Sequence, residues 1–196
     1  MTGGVGGVLL AAGAGRRYGL PKALAVADGR LFVEIAHRTL TDGGCDPVVV
    51  VLGAAVDEVR ATADLGTAIL VVNQDWRTGM GSSLRRGLDA LRQSSVSAAM
   101  VLLVDTPGIT AAAVARLSTH AHEQVIAVAT YHGRRGHPVL LGRGHWDGVA
   151  RMAVADVGAR PYLTTHATTL IGVACDDLAD GVDVDEPADR QVGCDA

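Results

Sequence analysis

Short runs of apolar residues alternate along this chain with segments in which apolar residues recur at the spacing of a helix. The runs typical of buried strands cover residues 8–11, 48–52, 68–72, 98–104, 125–129, 139–141 and 171–174. Helical spacing covers 31–40, 55–63, 84–91 and shorter stretches after 110, at 146–152 and after 161. This alternation predicts an α/β fold of three layers, with a mostly parallel, doubly wound sheet between helices. A turn between the runs at 125–129 and 139–141 predicts a small antiparallel part towards the C-terminus.

The loop after the first apolar run is rich in glycines and cations. Its glycines, at positions 13, 15 and 19, let the backbone turn tightly and bring its N–H groups close to a ligand. Consecutive exposed N–H groups form an anion-binding nest, to which Arg16, Arg17 and Lys22 add positive charge. A polyphosphate is the simplest ligand for such a loop. The alternative is a glycine turn with solvated charges.

Two common glycine loops do not fit this stretch. The phosphate loop of many ATPases ends in Gly-Lys-Ser/Thr, whereas Ala23 follows Lys22 here. The dinucleotide-binding fingerprint Gly-x-Gly-x-x-Gly opens a helix. In this chain the third glycine, Gly19, comes one residue late, and Pro21 disfavours a helix at that point. The loop therefore belongs to neither class.

A polar segment with two glycines, residues 73–83, precedes the third predicted helix. In an open α/β sheet, ligands bind beyond the carboxyl ends of the strands, where this segment is expected to lie. Gly79 and Gly81 permit close approach of the backbone. Ser82 or Ser83 is placed either to cap the helix or to form a hydrogen bond with the edge of a base. The residues alone leave both interpretations open.

Asp105 follows the most continuous apolar run of the chain, within Asp-Thr-Pro-Gly. A carboxylate at the tip of a central strand lies at the expected mouth of the site, and Mg²⁺ favours one or two carboxylates together with phosphate oxygens. Asp105 is therefore a candidate metal ligand, with a simple turn as the alternative.

Near the C-terminus, Asp183 and Asp185 point the same way on an extended segment. Either is a candidate second ligand, and an acidic turn is the alternative.

The turn predicted after residue 129 carries a second group of polar residues. Arg134 and Arg135 are candidates to receive an acceptor phosphate, with a solvated basic hairpin as the alternative. His137 stands directly before Pro138. It is more typical of a structural hydrogen-bonding residue than of a metal ligand, because no other histidine lies at ligand spacing.

Composition narrows the functional classes. Of 196 residues, 48% are hydrophobic and 3% aromatic, which predicts a single globular domain over 1–196. The net charge of −4 and the pI near 5.9 speak against nucleic acid as the main partner. Mean hydropathy is +0.27, but no apolar run approaches the ~20 residues of a membrane helix, and no secretion signal is visible. The chain has three cysteines that lie far apart in sequence, Cys45, Cys175 and Cys194. This pattern favours reduced thiols in a cytoplasmic protein.

Motifs occur in one order from residue 8 to residue 189: Leu-Ala-Ala-Gly-x-Gly, Pro-Lys, Gly-Met-Gly-Ser-Ser, Val-Asp-Thr-Pro-Gly, Gly-His-Pro-Val-Leu-Leu, Asp-Val-Gly-Ala-Arg and Asp-Val-Asp-Glu-Pro-Ala-Asp. Together they resemble the molybdenum cofactor cytidylyltransferases of the MobA-like nucleotidyltransferase family. Guanylyl-transferring relatives usually carry Leu-Ala-Gly-Gly and Asp-Lys, where this chain has Ala12 and Pro21. The chain departs from the pattern at Ala155, where the family usually has glycine.

The resemblance implies a Rossmann-like nucleotide-diphospho-sugar transferase fold. It also implies transfer of CMP from CTP to the phosphate of molybdopterin with release of pyrophosphate, and Mg²⁺ or Mn²⁺ as cofactor. The implied catalytic residues are Arg17, Lys22 and Asp105, with Asp105 and Asp183 at the metal. The implied acceptor-binding residues are Arg135, His137 and Arg160. The implied nucleotide-binding residues are Leu10, Ala11, Ala12, Gly13, Gly15, Arg16, Arg17, Lys22, Gly79, Met80, Gly81, Ser82, Ser83 and Asp105.

Other functions remain open on the sequence. One is transfer of a nucleoside monophosphate to a sugar or alcohol phosphate, or of GMP to molybdopterin. A different class is an NAD(P)-linked reductase or redox binding protein, which would need neither Asp105 nor a triphosphate loop. A protein that binds the cofactor without turnover is a third. A molybdenum hydroxylase apoenzyme is a candidate protein partner, whereas nucleic acid and membranes are not expected.

Overall fold

The computed structural model describes residues 4–184 of the chain. Within that range the strands are β1 (Val5–Ala11), β2 (Val26–Ala27), β3 (Arg30–Leu31), β4 (Val48–Leu52), β5 (Ile69–Val72), β6 (Ala98–Leu103), β7 (Ile126–Tyr131), β8 (Arg134–Gly142) and β9 (Ile171–Ala174). Seven of them form one sheet in the order β5-β4-β1-β6-β8-β7-β9, and β2 pairs with β3 separately. Only β8 runs antiparallel to its neighbours in the large sheet. The predicted mostly parallel sheet with a small antiparallel part is confirmed.

The helices pack on both faces of this sheet. They are α1 (Phe32–Asp42), α2 (Val56–Thr62), α3 (Met80–Leu91), α4 (Ala111–Ser118), α5 (Trp146–Met152) and α6 (Arg160–Thr165). Alternate residues of the central strands enter two separate apolar cores. One core holds side chains of α1, α2 and α4, and the other holds those of α3, α5 and α6. Because β1, β4 and most of β6 are buried on both faces, these strands have the continuous apolar sequences from which they were predicted.

Several boundaries differ from the sequence prediction. Strand β1 begins at Val5 and so includes Gly6, where a Cβ would lie 2.7 Å from a methyl group of Leu91. A side chain there would push the end of α3 away from the sheet, which explains a glycine inside a central strand. The tight turn before β8 is His132–Gly133, both with positive φ (50° and 74°), so Arg134 and Arg135 belong to the strand and not to the turn.

The hairpin of β2 and β3 was missed. Its turn is Asp28–Gly29, with φ of 49° and 76°, and Asp-Gly is a typical sequence for such a turn. The strands on either side have only two residues each, which is too short to give a hydrophobic alternation. No helix within residues 4–184 combines the length and the apolar character needed to span a membrane.

The topology directs two loops to one edge of the sheet. Chain order runs outwards from β1 through β4 to β5, and then returns to the other side of β1 to form β6. The carboxyl ends of the neighbouring parallel strands β1 and β6 therefore lie side by side at the point where the strand order reverses. This is the place at which open α/β sheets bind ligands.

Candidate active site

A pocket of about 380 Å³ lies at the carboxyl ends of β1 and β6. Four parts of the chain form its walls: the glycine loop after β1, the segment that leads into α3, the tip of β6, and the turn that contains Asp156. The lining residues are Leu10, Ala12, Gly13, Ala14, Gly15, Arg16, Arg17, Lys22, Trp76, Arg77, Gly79, Met80, Ser83, Leu103, Val104, Asp105 and Asp156.

The glycine loop is a compact turn. Gly15 has φ of +59°, and a Cβ there would overlap the carbonyl oxygen of Leu20. The N–H of Gly19 donates to the carbonyl oxygen of Gly15 at 2.9 Å and closes the turn. Tyr18 is buried, with its ring centroid 6.3 Å from that of Phe32 in α1, and anchors the loop to the core. The loop thus places Arg16 and Arg17 at the wall of the pocket.

Lys22 and Asp105 meet across 83 residues of sequence. Lys22 begins a short 3₁₀ turn after Pro21, and its Nζ donates to Asp105 Oδ2 at 2.9 Å. The two side chains are 13% and 23% exposed, so this ion pair is shielded from water far more than a surface pair. The sequence placed Asp105 at a strand tip and Lys22 in the glycine loop, and the structure brings them into contact.

The second carboxylate oxygen of Asp105 has an unusual environment. Among the described residues, Oδ1 is the one buried side-chain oxygen or nitrogen without a hydrogen-bond partner. Burying an acceptor without a donor costs about 1–3 kcal/mol, and more for a charged group. An oxygen in this state, beside a pocket lined by cations and glycine N–H groups, fits a metal ion that binds together with an anionic ligand.

The segment that contains Asp183 passes beside Asp105. The N–H of Val184 donates to the backbone carbonyl oxygen of Asp105 at 2.8 Å. Asp183, the residue before Val184, is therefore held near the end of β6. Asp183 is exposed and does not line the pocket, and Asp185 lies outside the described residues. No cluster of three or more His, Cys, Asp or Glu side chains within 4–184 is arranged to hold a metal. A metal at Asp105 would therefore depend on phosphate oxygens for much of its coordination.

The start of α3 uses neither Ser82 nor Ser83 as its N-cap residue. The N-cap residue is Gly79, with φ of +112°, which has no side chain with which to cap the helix. Ser82 and Ser83 lie buried in the first turn, and the side-chain amide of Asn73 donates to their hydroxyls at 2.8 and 3.0 Å. The cap interpretation is therefore wrong, because the helix begins at Met80 and both serines lie inside its first turn. Ser83 lines the pocket, whereas Ser82 does not.

A residue that was not assigned to the site joins this wall from far along the chain. Asp156 lies in a 3₁₀ turn after α5, and its Oδ1 accepts from the N–H of Met80 at 3.4 Å. A Cβ at Gly79 would overlap Ala155, and one at Gly81 would overlap the carbonyl of Ala153. These two glycines are required because the 153–156 segment packs directly against the start of α3. The Asp-Val-Gly-Ala-Arg motif was the signal that pointed to this segment.

Ala155 has φ of +47°, a conformation that glycine adopts without strain. We expect Ala155→Gly to raise the free energy of unfolding by up to about 1 kcal/mol, since the strain of roughly 1–2 kcal/mol exceeds glycine's extra entropy in the unfolded chain. Urea unfolding measures the change. Ala63→Gly, at φ of −90°, is the matched control and should lower stability. If the urea concentration at the unfolding midpoint of Ala155→Gly is unchanged or lower, the backbone of Ala155 is not strained.

Several predicted residues lie outside the pocket lining, and others were missed. Ala11, Gly81, Ser82, Arg135, His137, Arg160 and Asp183 are not part of the lining. Arg135 and Arg160 are exposed. Burial lowers the pKa of His137, whose Nδ1 lies 3.4 Å from the carbonyl oxygen of Val101. Among the missed residues, Trp76 and Arg77 line the pocket, with the guanidinium 4.5 Å from the centroid of the indole.

Comparison with known proteins shows the family to which the chain belongs. Residues 7–169, which include β1, the glycine loop, Asp105 and Asp156, match the MobA-like NTP transferase domain. The chain belongs to this family. It is a nucleotidyltransferase by this membership, and its fold is the Rossmann-like nucleotidyltransferase fold.

Individual relatives carry different names. Nicotine blue oxidoreductase of Paenarthrobacter nicotinovorans is 42% identical over 189 residues, which covers 92% of each chain. A probable molybdenum cofactor guanylyltransferase of Geobacillus sp. (strain WCH70) is 31% identical over 134 residues, covering 68% of this chain and 67% of that protein. The chain is thus similar both to a protein named as a transferase and to one named as an oxidoreductase.

Solved structures resemble the whole described fold. The Rv0371c homologue of Mycobacterium sp. strain JC1 has a TM-score of 0.82 and 32% identity, covering 95% of this chain and 92% of that one. Rv0371c of Mycobacterium tuberculosis H37Rv has a TM-score of 0.84 and 25% identity, covering 97% of both chains. A complex of Rv0371c with manganese has a TM-score of 0.75 and 25% identity, covering 89% of both chains.

Proposed function

We propose that this nucleotidyltransferase transfers CMP from CTP to the phosphate of a molybdopterin-type acceptor, with release of pyrophosphate. The observation that carries nucleotidyl transfer is the shielded pair of Lys22 and Asp105 beside the glycine loop, with Asp105 Oδ1 buried and without a partner. A polyphosphate with a bound divalent cation satisfies all these groups at once.

In this proposal the chain binds and orients its substrates. The N–H groups of the glycine loop, with Arg16, Arg17 and Lys22, bind the triphosphate. The acceptor phosphate oxygen attacks the α-phosphorus in line, and the bond to the pyrophosphate oxygen breaks. A phosphate monoester has its second pKa at about 6, so it is already largely dianionic at neutral pH and needs no general base. Catalysis comes from positioning and from cations placed where the leaving pyrophosphate gains charge.

We also propose Mg²⁺ or Mn²⁺ as the cofactor, held by Asp105 with Asp183 as second carboxylate. When bound, such a cation neutralises charge on the phosphates and polarises the α-phosphoryl group. Support comes from the unpartnered oxygen of Asp105 and from the manganese complex of Rv0371c, a protein that is 25% identical.

The base and the acceptor are supported by sequence motifs. Ala12 and Pro21 stand where guanylyl-transferring relatives usually differ, which favours CTP. Cations of the glycine loop occupy one wall of the pocket, and we therefore propose that the base lies against the wall formed by Gly79, Met80 and Ser83. The molybdopterin acceptor follows the resemblance and the guanylyltransferase relative. We assign Arg135, His137 and Arg160 to the acceptor. Arg135 and His137 lie on β8 at the edge where β6 ends.

We expect CTP to bind more tightly than GTP, ATP or UTP, because the wrong base leaves buried polar groups unpaired and loses a few kcal/mol. Calorimetric titration with the four triphosphates in Mg²⁺ tests the base. Pyrophosphate release with molybdopterin, compared with sugar and alcohol phosphates, tests the acceptor. A clear preference for GTP would place the chain with the guanylyl-transferring subfamily instead.

An NAD(P)-linked reductase is the second candidate, and the 42% identity to nicotine blue oxidoreductase favours it. The same pocket would then hold a dinucleotide, and no metal would be required. Oxidation of NADH or NADPH with nicotine blue as acceptor tests this function. The two candidates separate at Asp105: its loss should stop nucleotidyl transfer but leave hydride transfer largely intact.

A further inference from the structure

The pocket contains one carboxylate, Asp156, for which nucleotidyl transfer as described has no use. The lining within the described residues has four cations, Arg16, Arg17, Lys22 and Arg77, and two carboxylates, Asp105 and Asp156. Asp105 is paired with Lys22, whereas Asp156 meets the start of α3. A negative charge that is not paired with a cation repels a triphosphate, which points to a role for Asp156 towards a part of the ligand other than the phosphates.

Packing fixes the position of this carboxylate. Its Oδ1 accepts from the N–H of Met80, and a Cβ at Gly79 would lie 2.7 Å from the same oxygen. The preceding turn is also held, because the guanidinium of Arg85, on α3, donates to the carbonyl of Ala153. Asp156 is exposed, and its contact with the N–H of Met80 brings its carboxylate to the wall of the pocket that the base is proposed to occupy.

A carboxylate at this place has two effects on the ligand. The free N–H groups at the start of a helix attract anions, and Asp156 both occupies one of them and adds a negative charge. Phosphates are thereby directed to the glycine loop and the base to α3. An ionised carboxylate also accepts hydrogen bonds and cannot donate them, so it favours a base edge that carries an amino group.

We propose that Asp156 selects the base of the nucleotide by accepting a hydrogen bond from the 4-amino group of cytosine. Uracil presents a carbonyl oxygen at the same position, which the carboxylate repels. This inference rests on the proposed function, since it requires CTP in this pocket. It makes Asp156 a specificity-determining residue and assigns a role to a side chain 76 positions beyond Met80 in sequence.

Calorimetric titration with CTP, UTP and inorganic tripolyphosphate tests the inference on wild-type protein and on Asp156→Asn. Asparagine still accepts from the N–H of Met80 through its amide oxygen and offers its NH₂ group to the uracil carbonyl. We expect the ratio of CTP to UTP affinity to fall by about tenfold or more. Tripolyphosphate should bind more tightly to the variant, because a negative charge has left the pocket.

The matched control is Asp75→Asn, which removes the same charge from the segment leading into α3. Asp75 is exposed, lies 3.7 Å from Arg86 and does not line the pocket, so the CTP to UTP ratio should stay at the wild-type value. A merely structural role for Asp156 would weaken both nucleotides alike and leave their ratio unchanged.

An unchanged CTP to UTP ratio in Asp156→Asn overturns the inference, while tight CTP binding by the wild type leaves the proposed function standing. A wild-type protein that binds none of the three ligands overturns both. A ratio that falls in Asp156→Asn but not in Asp75→Asn supports the assignment of Asp156 to the base.

Discussion

Replacing Asp105 by asparagine is expected to slow nucleotidyl transfer by about 10³-fold or more, because several kcal/mol of charge stabilisation are lost at the reacting phosphate. Asparagine keeps the shape of the side chain, and its amide oxygen can still accept from Lys22 Nζ, which lies 2.9 Å from Asp105 Oδ2. It removes the negative charge that a divalent cation requires. The fold should therefore persist while transfer is lost.

Pyrophosphate release and thermal unfolding, measured on the same preparations, test this expectation. In the wild type, CTP with Mg²⁺ or Mn²⁺ should raise the unfolding temperature, since a ligand that binds only the folded state stabilises it. The metal-dependent part of that rise should disappear in Asp105→Asn. Asp57→Asn, an exposed site in the first turn of α2 and outside the pocket, is the control. Turnover of the Asp105 variant within about tenfold of wild type would remove Asp105 from the metal site.

The sequence predicts the phosphate side of the pocket well, for a physical reason. Residues 8–11 and 98–104 are continuous apolar runs that only buried parallel strands require, and such strands end at a common edge of the sheet. Asp105 follows the second of these runs directly, and Lys22 lies in the glycine loop that follows the first, so both residues were expected at this edge of the sheet. The 2.9 Å contact between their side chains is a finding of the structure and was not predicted from the sequence.

The other side of the pocket depends on contacts that no local pattern encodes. Ser82 looks like a helix cap, but the amide of Asn73, on the opposite side of the loop, pairs with it inside the fold. Asp156 reaches Met80 because the segment after α5 packs against the start of α3, and the positive φ of Ala155 contradicts the usual preference of alanine. Local propensity misleads at these positions because tertiary packing determines them.

Lys22 is the second residue at which a large effect is expected. It is the one lysine of the chain, and the other sixteen of its 17 Lys and Arg residues are arginines. A compact ammonium with a flexible stem suits a side chain that is 13% exposed and must contact both Asp105 and a phosphate, whereas the wide guanidinium of arginine does not. The positive charge alone therefore does not explain why this position carries lysine instead of arginine.

We expect Lys22→Met to weaken binding of CTP by about 1.5–3 kcal/mol, which is the value of a charge-assisted hydrogen bond and corresponds to roughly 10- to 150-fold in affinity. Cytidine, which has no phosphate, should bind almost as it does to the wild type. Lys22→Arg keeps the charge but not the shape and should restore only part of the affinity. Arg60→Met, on the exposed side of α2, is the control for loss of a cation elsewhere. Calorimetry with CTP and cytidine tells a phosphate contact from a supporting role. Equal losses of affinity for both ligands would mean that Lys22 supports the pocket without contacting the phosphates.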